Sequence, residues 1–416
     1  MKKTVTLLLL VNAISIFSQE LTLDLDNTIQ RALEKDKSIK SAELSVDNAT
    51  LDKKQAFKSG LPSVSYYLAT TPDSEYSQGY LTLNQKIFDG GKTFIAIKNS
   101  NKYLEASQYG LEGTKNSVGI SVTNQYISIL KYQKQLEVLK NSKIEVESNY
   151  KRVSRLYELG LATKTEVLNL NYSLIELESS IVQVENTIEI AKLNLKNSIG
   201  ISKDDNLNIE EIKDLNVDIM SIDFNGDLGL AKEKSISAKS AKVATELTKA
   251  LEGTSRAEMM PKVELTVQHG TVGNISKVDG GLSKLFKSEN RDTLTGITIN
   301  GTLFDWGSNY DAYKQTKNNT KIAQEDEKEA QDSIEVNLRT SYLELLRLSK
   351  LKESKEKALE SSSENFRYQK QRYEEQLINS TDFLNAENSL RESEIGLVNA
   401  ELDLYYQYKN YLTLLK

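Results

Sequence analysis

The stretch YELGLATKTEVLN, from Tyr157 to Asn169, returns in altered form as YEEQLINSTDFLN, from Tyr373 to Asn385. The two stretches start 216 positions apart and share Tyr, Glu, Leu, Thr, an acidic residue, Leu and Asn at matched places. An internal repeat has to be recognised first, because it decides the whole architecture. This one indicates that the chain of 416 residues contains two copies of one structural unit.

Further matches define the extent of the repeat. The Phe-Asp pair at 88–89 recurs 216 positions later at 304–305, whereas Pro62 recurs as Pro261, 199 positions later. The second copy therefore holds about 17 more residues between its proline and its Phe-Asp pair, the difference between 216 and 199. We place them in the Gly- and Ser-rich segment 272–292, which is typical of a surface loop. The repeats are predicted at 20–200 and 227–416, joined by a linker at 201–226.

Each repeat is predicted to run in the order helix, strand, loop, strand, very long helix, tight turn and returning helix. The opening helices are predicted at about 26–58 and 227–258. After each proline, apolar residues alternate with polar ones, which is the period of a strand with one polar face. No proline occurs from Lys92 to Glu158, and roughly 67 residues of continuous helix would extend about 100 Å. The strands are predicted at about 62–72, 78–88, 261–271 and 293–304, and the turns at about 158–166 and 374–382.

The amino terminus reads as a secretory signal at residues 1–19. Lys2 and Lys3 precede an apolar run from Val5 to Phe17, which is the usual order of a signal peptide. A membrane anchor is the alternative, but the run is shorter than the roughly 20 apolar residues that a spanning helix needs. The chain has no cysteine, so an exported form would contain no disulfide.

Composition and motifs argue against several classes of function. Lys plus Arg number 53 and Asp plus Glu 59, and these charges are interspersed, so no basic stripe predicts nucleic-acid binding. His269 is the only histidine, and without cysteine it cannot form a typical zinc site. Phosphate-binding, dinucleotide-binding and hydrolase motifs are also missing. We therefore predict no enzyme activity, no metal and no cofactor.

The four predicted strands pose a problem of closure. Each is about ten residues long, which suits a tilted strand that crosses a bilayer. A membrane-spanning sheet must close so that no edge meets lipid, and single-chain bacterial barrels begin at about eight strands. If these strands cross a membrane, several copies of the chain must combine them.

Together, the signal, the tandem repeat and the turns resemble the TolC-type outer-membrane efflux proteins of Gram-negative bacteria. The most specific matches are RLYELGLATKTEVLNLNYSLIE at 155–176, KIFDGGK at 86–92 and TLFDWGS at 302–308. The resemblance implies a homotrimer, in which three chains give four strands each to one twelve-stranded barrel in the outer-membrane lipid. The helices would continue as a tunnel across the periplasm. It also implies a passive duct of a tripartite efflux or type I secretion system, with a periplasmic adaptor and an inner-membrane pump or exporter as partners.

The two turns are the most informative sites. Thr163 and Glu166 have the spacing of a capping box, and Asn379 and Asp382 occupy matched positions, so both acids can serve simply to stabilise helix starts. The resemblance adds a gate at the periplasmic mouth of a trimeric tunnel, where each acid appears three times around an axis. The implied gate residues are Asp382, Asn385, Glu166 and Tyr373, and the implied adaptor-docking residues are Gly160, Leu161 and Leu377.

Two positions in the second turn depart from the family pattern. Asn385 stands where an acid is often found, and Ile378 stands where an arginine is common. A single ring of three carboxylates from Asp382 is therefore expected, and such a ring would favour cations.

The places where strands give way to helices are predicted to be structural joints. At Phe88 to Gly91, an aspartate can cap the starting helix and glycines can adopt backbone angles closed to other residues. Trp306, Tyr66, Tyr67 and Tyr80 would suit an aromatic girdle at a membrane interface. The joint residues are Pro62, Asp89, Gly90, Gly91, Pro261, Asp305 and Gly307.

An alternative function comes from another class of protein. The helix that returns from the first turn carries an apolar residue every seven positions, at Val167, Leu174, Ile181, Ile188 and Leu195. This heptad pattern suits a periplasmic or secreted coiled-coil structural protein without a pore, whose strands form only a hairpin hinge. Ion conduction in a lipid bilayer distinguishes the two, because a scaffold gives no current.

Overall fold

The computed structural model describes residues 20–70, 77–270 and 292–416. The predicted signal at 1–19 and nearly all of the predicted loop at 272–292 lie outside these residues. The chain is mainly helical with a small sheet, as predicted. The first repeat contains β1 (Glu20–Leu23), α1 (Leu25–Lys35), α2 (Lys37–Lys58), β2 (Ser63–Thr70), β3 (Ser77–Phe88), α3 (Lys92–Glu158) and α4 (Lys164–Ser198).

The second repeat follows the same order. A connecting segment contains β4 (Asn206–Ile209) and a short 3-10 helix (Ile219–Ser221). The repeat itself contains α5 (Phe224–Lys234), α6 (Ile236–Glu258), β5 (Lys262–Gly270), β6 (Asp292–Asn300), α7 (Ser308–Glu374) and α8 (Ser380–Leu414). The helices α3 and α7 both have 67 residues, and α4 and α8 both have 35. The tandem repeat is thus confirmed.

Two compact units share the chain, and each takes residues from both repeats. Within residues 20–416, the first unit comprises 20–36, 117–221 and 343–410. The second unit comprises 37–116, 222–342 and 411–416.

The opening helix of each repeat is divided, where the sequence predicted one continuous helix at about 26–58 and 227–258. Asp36 separates α1 from α2, and its matched residue Ser235 separates α5 from α6. Both adopt extended backbone angles, with ψ of 134° and 151°. The hydroxyl of Ser235 accepts a hydrogen bond from the backbone N–H of Ala238 at 3.2 Å, so it starts the next helix as an N-cap.

Four strands form one antiparallel sheet in the order β2-β3-β5-β6. The strand β6 ends at Asn300, four residues before its predicted end at 304. Asn300 pairs with Lys262, and the residue before Lys262 is Pro261, which has no N–H to extend the ladder. Among the described residues, the two outer strands, β2 and β6, each keep one unpaired edge.

The sheet has one mainly apolar and one mainly polar face. The strand register places residues that pair directly on the same face, and side chains alternate along each strand. The apolar face carries Val64, Tyr66, Leu68, Leu81, Leu83, Leu265, Val267, Ile297 and Ile299. The polar face carries Ser63, Ser65, Thr82, Asn84, Glu264, Thr266, Gln268 and Thr298.

A second, very small sheet was not predicted from the sequence. The four-residue strands β1 and β4 pair in parallel in the first unit. The buried side chain of Tyr126, on α3, lies within hydrogen-bonding distance of both strand ends, with its hydroxyl 3.0 Å from the carbonyl oxygen of Leu23 and 2.6 Å from that of Glu210. The tyrosine thus fixes both strands to the long helix.

Within the described parts of the chain, no helix combines the length and the apolar character required to cross a membrane. Near the turns, one core cluster in the first unit consists of Leu139, Val146, Val153, Leu170, Leu177, Ile181, Val184, Ile188, Tyr373 and Phe383.

Candidate functional site: the helix tips and the strand joints

The turn between α3 and α4 is built from backbone hydrogen bonds that only a left-handed residue allows. Gly160 has φ of 73°, its N–H donates to the carbonyl of Tyr157, and the N–H of Leu161 donates to that of Leu156 at 2.8 Å. These are the two bonds of a Schellman motif, in which glycine is favoured. Leu161 is left exposed to solvent.

The matched turn between α7 and α8 repeats this geometry without glycine. Gln376 has φ of 61°, and its N–H donates to the carbonyl of Tyr373, while the N–H of Leu377 donates to that of Arg372 at 2.8 Å. A left-handed residue other than glycine is strained. Leu377 is exposed, as Leu161 is in the first turn.

Both returning helices start with the caps that the sequence predicts. The Thr163 hydroxyl accepts from the N–H of Glu166 at 3.3 Å, and the N–H of Thr163 donates to the Glu166 carboxylate at 3.2 Å, which completes a capping box. In the second turn, the side-chain oxygen of Asn379 accepts from the N–H of Asp382 at 3.0 Å. The Asn169 side chain donates to the hydroxyl of buried Ser380 at 3.3 Å, so the starts of α4 and α8 are tied together.

Three of the predicted gate residues line one cavity of about 780 Å³, which we call the tip cavity. Its walls include the acids Glu166 and Asp382 and the amide of Asn385. The guanidinium-bearing side chain of Arg372 lines it as well. The structure therefore brings together an acid from each turn, although they lie 216 positions apart in the sequence.

The fourth predicted gate residue, Tyr373, lies in the core with only 3% of its surface exposed. Its ring stacks on Phe383 at a centroid distance of 4.8 Å, and the guanidinium carbon of Arg152 lies 4.9 Å from the ring centroid. Its hydroxyl has no hydrogen-bond partner among the described residues. Burial, followed by the nearby charge of Glu166, raises the pKa of Tyr373 to about 12. Tyr373 and Glu166 are thus close, but no hydrogen bond joins them.

Arg152 was not identified from the sequence, because only folding places it over the ring of Tyr373. The same holds for the ion pair between Glu145 on α3 and Lys370 on α7, at 2.7 Å. Ile378, which stands where an arginine was expected from the family, packs against the core cluster.

The two strand-to-helix joints use one hydrogen-bond scheme. Asp89 accepts from the N–H groups of Gly91 and Thr93 at 3.1 and 3.0 Å. Although burial raises the pKa of Asp89, its hydrogen bonds with Thr93 and Gly91 outweigh that effect and leave it below the usual value. In the second repeat, Asp305 accepts from the N–H groups of Gly307 and Asn309 at 3.0 and 2.8 Å.

The aromatic residues that the sequence assigns to a girdle lie on different faces of the sheet. Tyr67 and Tyr80 pair across β2 and β3 on the polar face, where their rings stack at 5.1 Å. Tyr66 lies on the apolar face. Trp306 is 89% exposed beside Phe304, at a ring distance of 4.8 Å. Strand alternation thus turns Tyr67 and Tyr80 to the face opposite Tyr66, and the girdle stays a prediction.

No set of three or more acids or histidines among residues 20–70, 77–270 and 292–416 is placed to hold a metal ion. The features that stand out are an exposed apolar sheet face, two open strand edges and paired acidic helix tips. An exposed apolar sheet face of this kind is typical of strands that meet lipid.

The sequence matches the outer membrane efflux protein family over residues 28–201 and 228–415, one match for each repeat. The chain belongs to this family, which is a transport class and not a class of enzymes, and its location is the outer membrane. No curated protein sequence matches it significantly.

Solved structures share the fold at low sequence identity. The outer membrane protein VceC from Vibrio cholerae is 18% identical with a TM-score of 0.75, and the match covers 94% of this chain and 95% of that one. The CmeC outer membrane channel of Campylobacter jejuni is 16% identical with a TM-score of 0.78, covering 94% and 85%. The MtrE outer membrane channel of Neisseria gonorrhoeae is 17% identical with a TM-score of 0.74, covering 94% and 88%.

Proposed function

We propose that three copies of this chain form a passive exit duct through the outer membrane of a Gram-negative bacterium. One observation carries the proposal: a four-stranded sheet with an exposed apolar face has two unpaired edges. In lipid, each edge needs a partner strand. A ring in which β2 of one chain pairs with β6 of the next satisfies both edges, and three chains then supply twelve strands.

The exposed apolar face favours this function over a periplasmic coiled-coil scaffold. Val64, Tyr66, Ile297 and Ile299 are between 65% and 77% exposed in the single chain. A hinge in water has no use for a contiguous apolar surface of this kind, whereas lipid requires it.

The tip cavity is the proposed periplasmic gate. Three copies of Asp382 would form a ring of carboxylates near the channel axis, which favours cations. Asn385 would line the next position with a neutral amide. Glu166 and buried Tyr373 would act behind this ring by fixing the helix starts, since one is occupied in a capping box and the other lies in the core.

Transport would depend on partners for its energy, because the chain contains no phosphate-binding motif with which to bind and hydrolyse a nucleotide. We assign adaptor docking to the exposed tip residues Gly160, Leu161 and Leu377. An inner-membrane pump or exporter would supply the energy, as in tripartite efflux or type I secretion.

The direct test measures in which cell fraction the protein is recovered, in what oligomeric state, and whether it conducts ions. We expect the protein in the outer-membrane fraction as a detergent-stable trimer that carries ion current in planar bilayers. A monomer in the periplasmic fraction, or a trimer that gives no current, would reject the duct and favour the scaffold.

The gate has its own test with the Asp382→Asn variant. Removal of three carboxylates from the ring should reduce the preference for cations over anions. Glu375→Gln is the matched control, because Glu375 is an exposed acid in the same turn but does not line the tip cavity. Equal selectivity in both variants and the unmodified channel would remove Asp382 from the gate.

A further inference from the structure

A cavity with a basic lining lies in the groove between α3 and α6, within the second compact unit. It has a volume of about 610 Å³, and we call it the lysine cavity. Three lysines and one glutamate give its lining a net charge of +2. The lining residues are Lys98, Asn99, Lys102, Glu246, Lys249 and Ala250.

The three lysines of this cavity differ in their partners. The ammonium group of Lys102 lies 2.8 Å from a carboxylate oxygen of Glu105 and 2.7 Å from one of Glu246, so its charge is compensated. Lys98 and Lys249 are exposed, and neither forms an ion pair with an acid in the part of the chain that the structure describes. The cavity therefore carries two positive charges that the chain itself does not neutralise.

Asn99 gives a second, independent indication that the cavity binds a ligand. This residue is only 9% exposed, and its side-chain oxygen is buried without a hydrogen-bond partner among residues 20–70, 77–270 and 292–416. A buried acceptor without a partner destabilises the fold, because it has lost water and gained nothing in return. A ligand that brings a hydrogen-bond donor into the lysine cavity would remove this cost.

The lysine cavity opens on the side of the molecule that carries the apolar face of the sheet. Phe88 pairs with Val263 and so belongs to that face. Phe88 and Phe94 line one smaller cavity of about 350 Å³, and Phe94 is 74% exposed. Lys98 follows Phe94 by four residues, which is about one helical turn, so both project from the same side of α3. Aromatic rings thus come first beyond the sheet, and lysines follow.

This order and spacing match those of a phospholipid at the membrane surface. Lys98 lies six residues after the start of α3 at Lys92, or about 9 Å along the helix axis at 1.5 Å per residue. The headgroup layer on each side of the hydrocarbon core is roughly 6 Å thick. A lysine stem can lie along apolar surface and carry its ammonium group to that layer.

We infer that the lysine cavity binds the headgroup of an anionic phospholipid from the periplasmic leaflet of the outer membrane. The phosphate binds between the ammonium groups of Lys98 and Lys249, and a headgroup hydroxyl donates a hydrogen bond to the side-chain oxygen of Asn99. Phosphatidylglycerol has both features, since it carries one negative charge and two headgroup hydroxyls. The acyl chains then lie against Phe88 and Phe94.

This inference rests on the proposed duct, whose ring of strands leaves the lysine cavity open to lipid. In the sheet order β2-β3-β5-β6, the strands β3 and β5 lie in the middle. The helix α3 follows β3, and α6 precedes β5. Because copies of the chain meet at β2 and β6, the groove between α3 and α6 lies away from these joins. Each trimer therefore has three such sites.

The fold does not require these lysines, because the second repeat lacks the same pair. On α7, Lys314 stands at the position matched to Lys98. On α2, Thr50 stands at the position matched to Lys249. The first repeat thus has two lysines where the second has one, and α7 offers a matched control.

Native mass spectrometry of the delipidated, detergent-purified protein measures the binding of added phosphatidylglycerol. We expect Lys98→Gln with Lys249→Gln to weaken the apparent affinity at least about tenfold, because each lysine attracts the anionic headgroup. Lys314→Gln with Lys317→Gln is the control, since it removes the same charge from α7 at a similar distance from its joint, and it should leave binding unchanged. All four lysines are exposed, so circular dichroism should show the same helix content in both variants.

The role of Asn99 has a separate test that compares two lipids of equal charge. The unmodified protein should bind phosphatidylglycerol about fivefold more tightly than phosphatidylmethanol, which has no headgroup hydroxyl. Asn99→Leu should abolish this preference and retain the binding of phosphatidylmethanol. Phosphatidylethanolamine, whose headgroup has no net charge, should bind at least about tenfold more weakly than phosphatidylglycerol.

The outcomes separate this inference from the proposed function. A conducting trimer whose phosphatidylglycerol binding is unchanged by the Lys98 and Lys249 substitutions overturns the inference and leaves the duct in place. Equal binding of phosphatidylethanolamine, or displacement of the lipid by an equal concentration of inorganic phosphate, also overturns it. A chain that never trimerises but keeps lysine-dependent lipid binding rejects the duct and retains the lipid site.

Discussion

The two repeats share one backbone plan but differ in the residue types that occupy its left-handed positions. Gly90 and Gly160 adopt left-handed angles in the first repeat, and Trp306 and Gln376 adopt the same angles at the matched places in the second. Only glycine adopts these angles without cost. The second tip turn keeps the backbone hydrogen bonds of the first although it lacks glycine, so it forms there against the local preference.

The largest loss of stability is expected from substitutions of the joint glycines. A Cβ on Gly90 would lie 2.4 Å from the carbonyl oxygen of Ala257, so Gly90→Ala should lower the free energy of unfolding by about 3 kcal/mol through clash and backbone strain. Thermal unfolding followed by circular dichroism in detergent, at one protein concentration, measures the change.

Gly91→Ala provides the control for that experiment. Gly91 has φ of 89°, but nothing lies within 4 Å of the Cβ position, so only the backbone cost of about 1 kcal/mol should appear. Equal losses in the two variants would show that the close approach at Gly90 contributes nothing.

Tyr126 and its counterpart Tyr342 are expected to differ in how much their hydroxyl groups contribute to stability. Tyr126→Phe removes the hydroxyl that fixes β1 and β4, and it should cost about 1–2 kcal/mol. Tyr342 instead packs its ring near Phe224 at 5.2 Å and Tyr411 at 6.4 Å, so Tyr342→Phe should change stability much less. The same thermal unfolding assay measures both, and a larger loss for Tyr342→Phe would contradict the assignment.

Tyr373 and its counterpart Tyr157 are expected to differ in the opposite direction. Tyr373→Phe removes a buried hydroxyl without a partner, so stability should rise by up to about 1 kcal/mol. Tyr157 is 45% exposed, and Tyr157→Phe should be neutral. A clear loss in Tyr373→Phe would mean that its hydroxyl makes a bond absent from the single chain.

The same variant has a pH signature. The pKa of Tyr373 is raised to about 12 in the fold, against an ordinary value of 10.0. The unfolded chain therefore loses this proton first, and the stability contributed by the neutral phenol is present below pH 10 and disappears as the pH rises towards about 12. Alkaline unfolding of Tyr373→Phe should show less of this decline than the unmodified protein, and identical curves would contradict the assignment.

The smallest change in stability is expected from substitutions in the tip turns. Gln376→Gly should stabilise the protein by about 0.5 kcal/mol, because relief of left-handed strain exceeds the entropy that glycine adds to the unfolded chain. Gly160→Gln should have the opposite sign. A destabilised Gln376→Gly variant would show that the glutamine side chain makes a contact that matters more than the strain.

Sequence reasoning identified the pairing of the turns but not the environment of each side chain. The capping box at Thr163 and Glu166 was predictable because it depends on residues three positions apart. The burial of Tyr373 was not, since Phe383 and Arg152 reach its ring only through helix packing. The placement of Tyr67 and Tyr80 on the polar face likewise required the strand register, because a shift of one residue reverses every side chain.

By itself, the sequence determined the tandem repeat, the long proline-free helices, the starts of the two returning helices and the approximate strands, because all of these depend on spacing along the chain. Only the tertiary structure decided that two acids from turns 216 positions apart share one cavity, and that the described sheet has one mainly apolar face with two open edges. These features depend on which surfaces remain unpaired after folding, and local spacing does not encode that information.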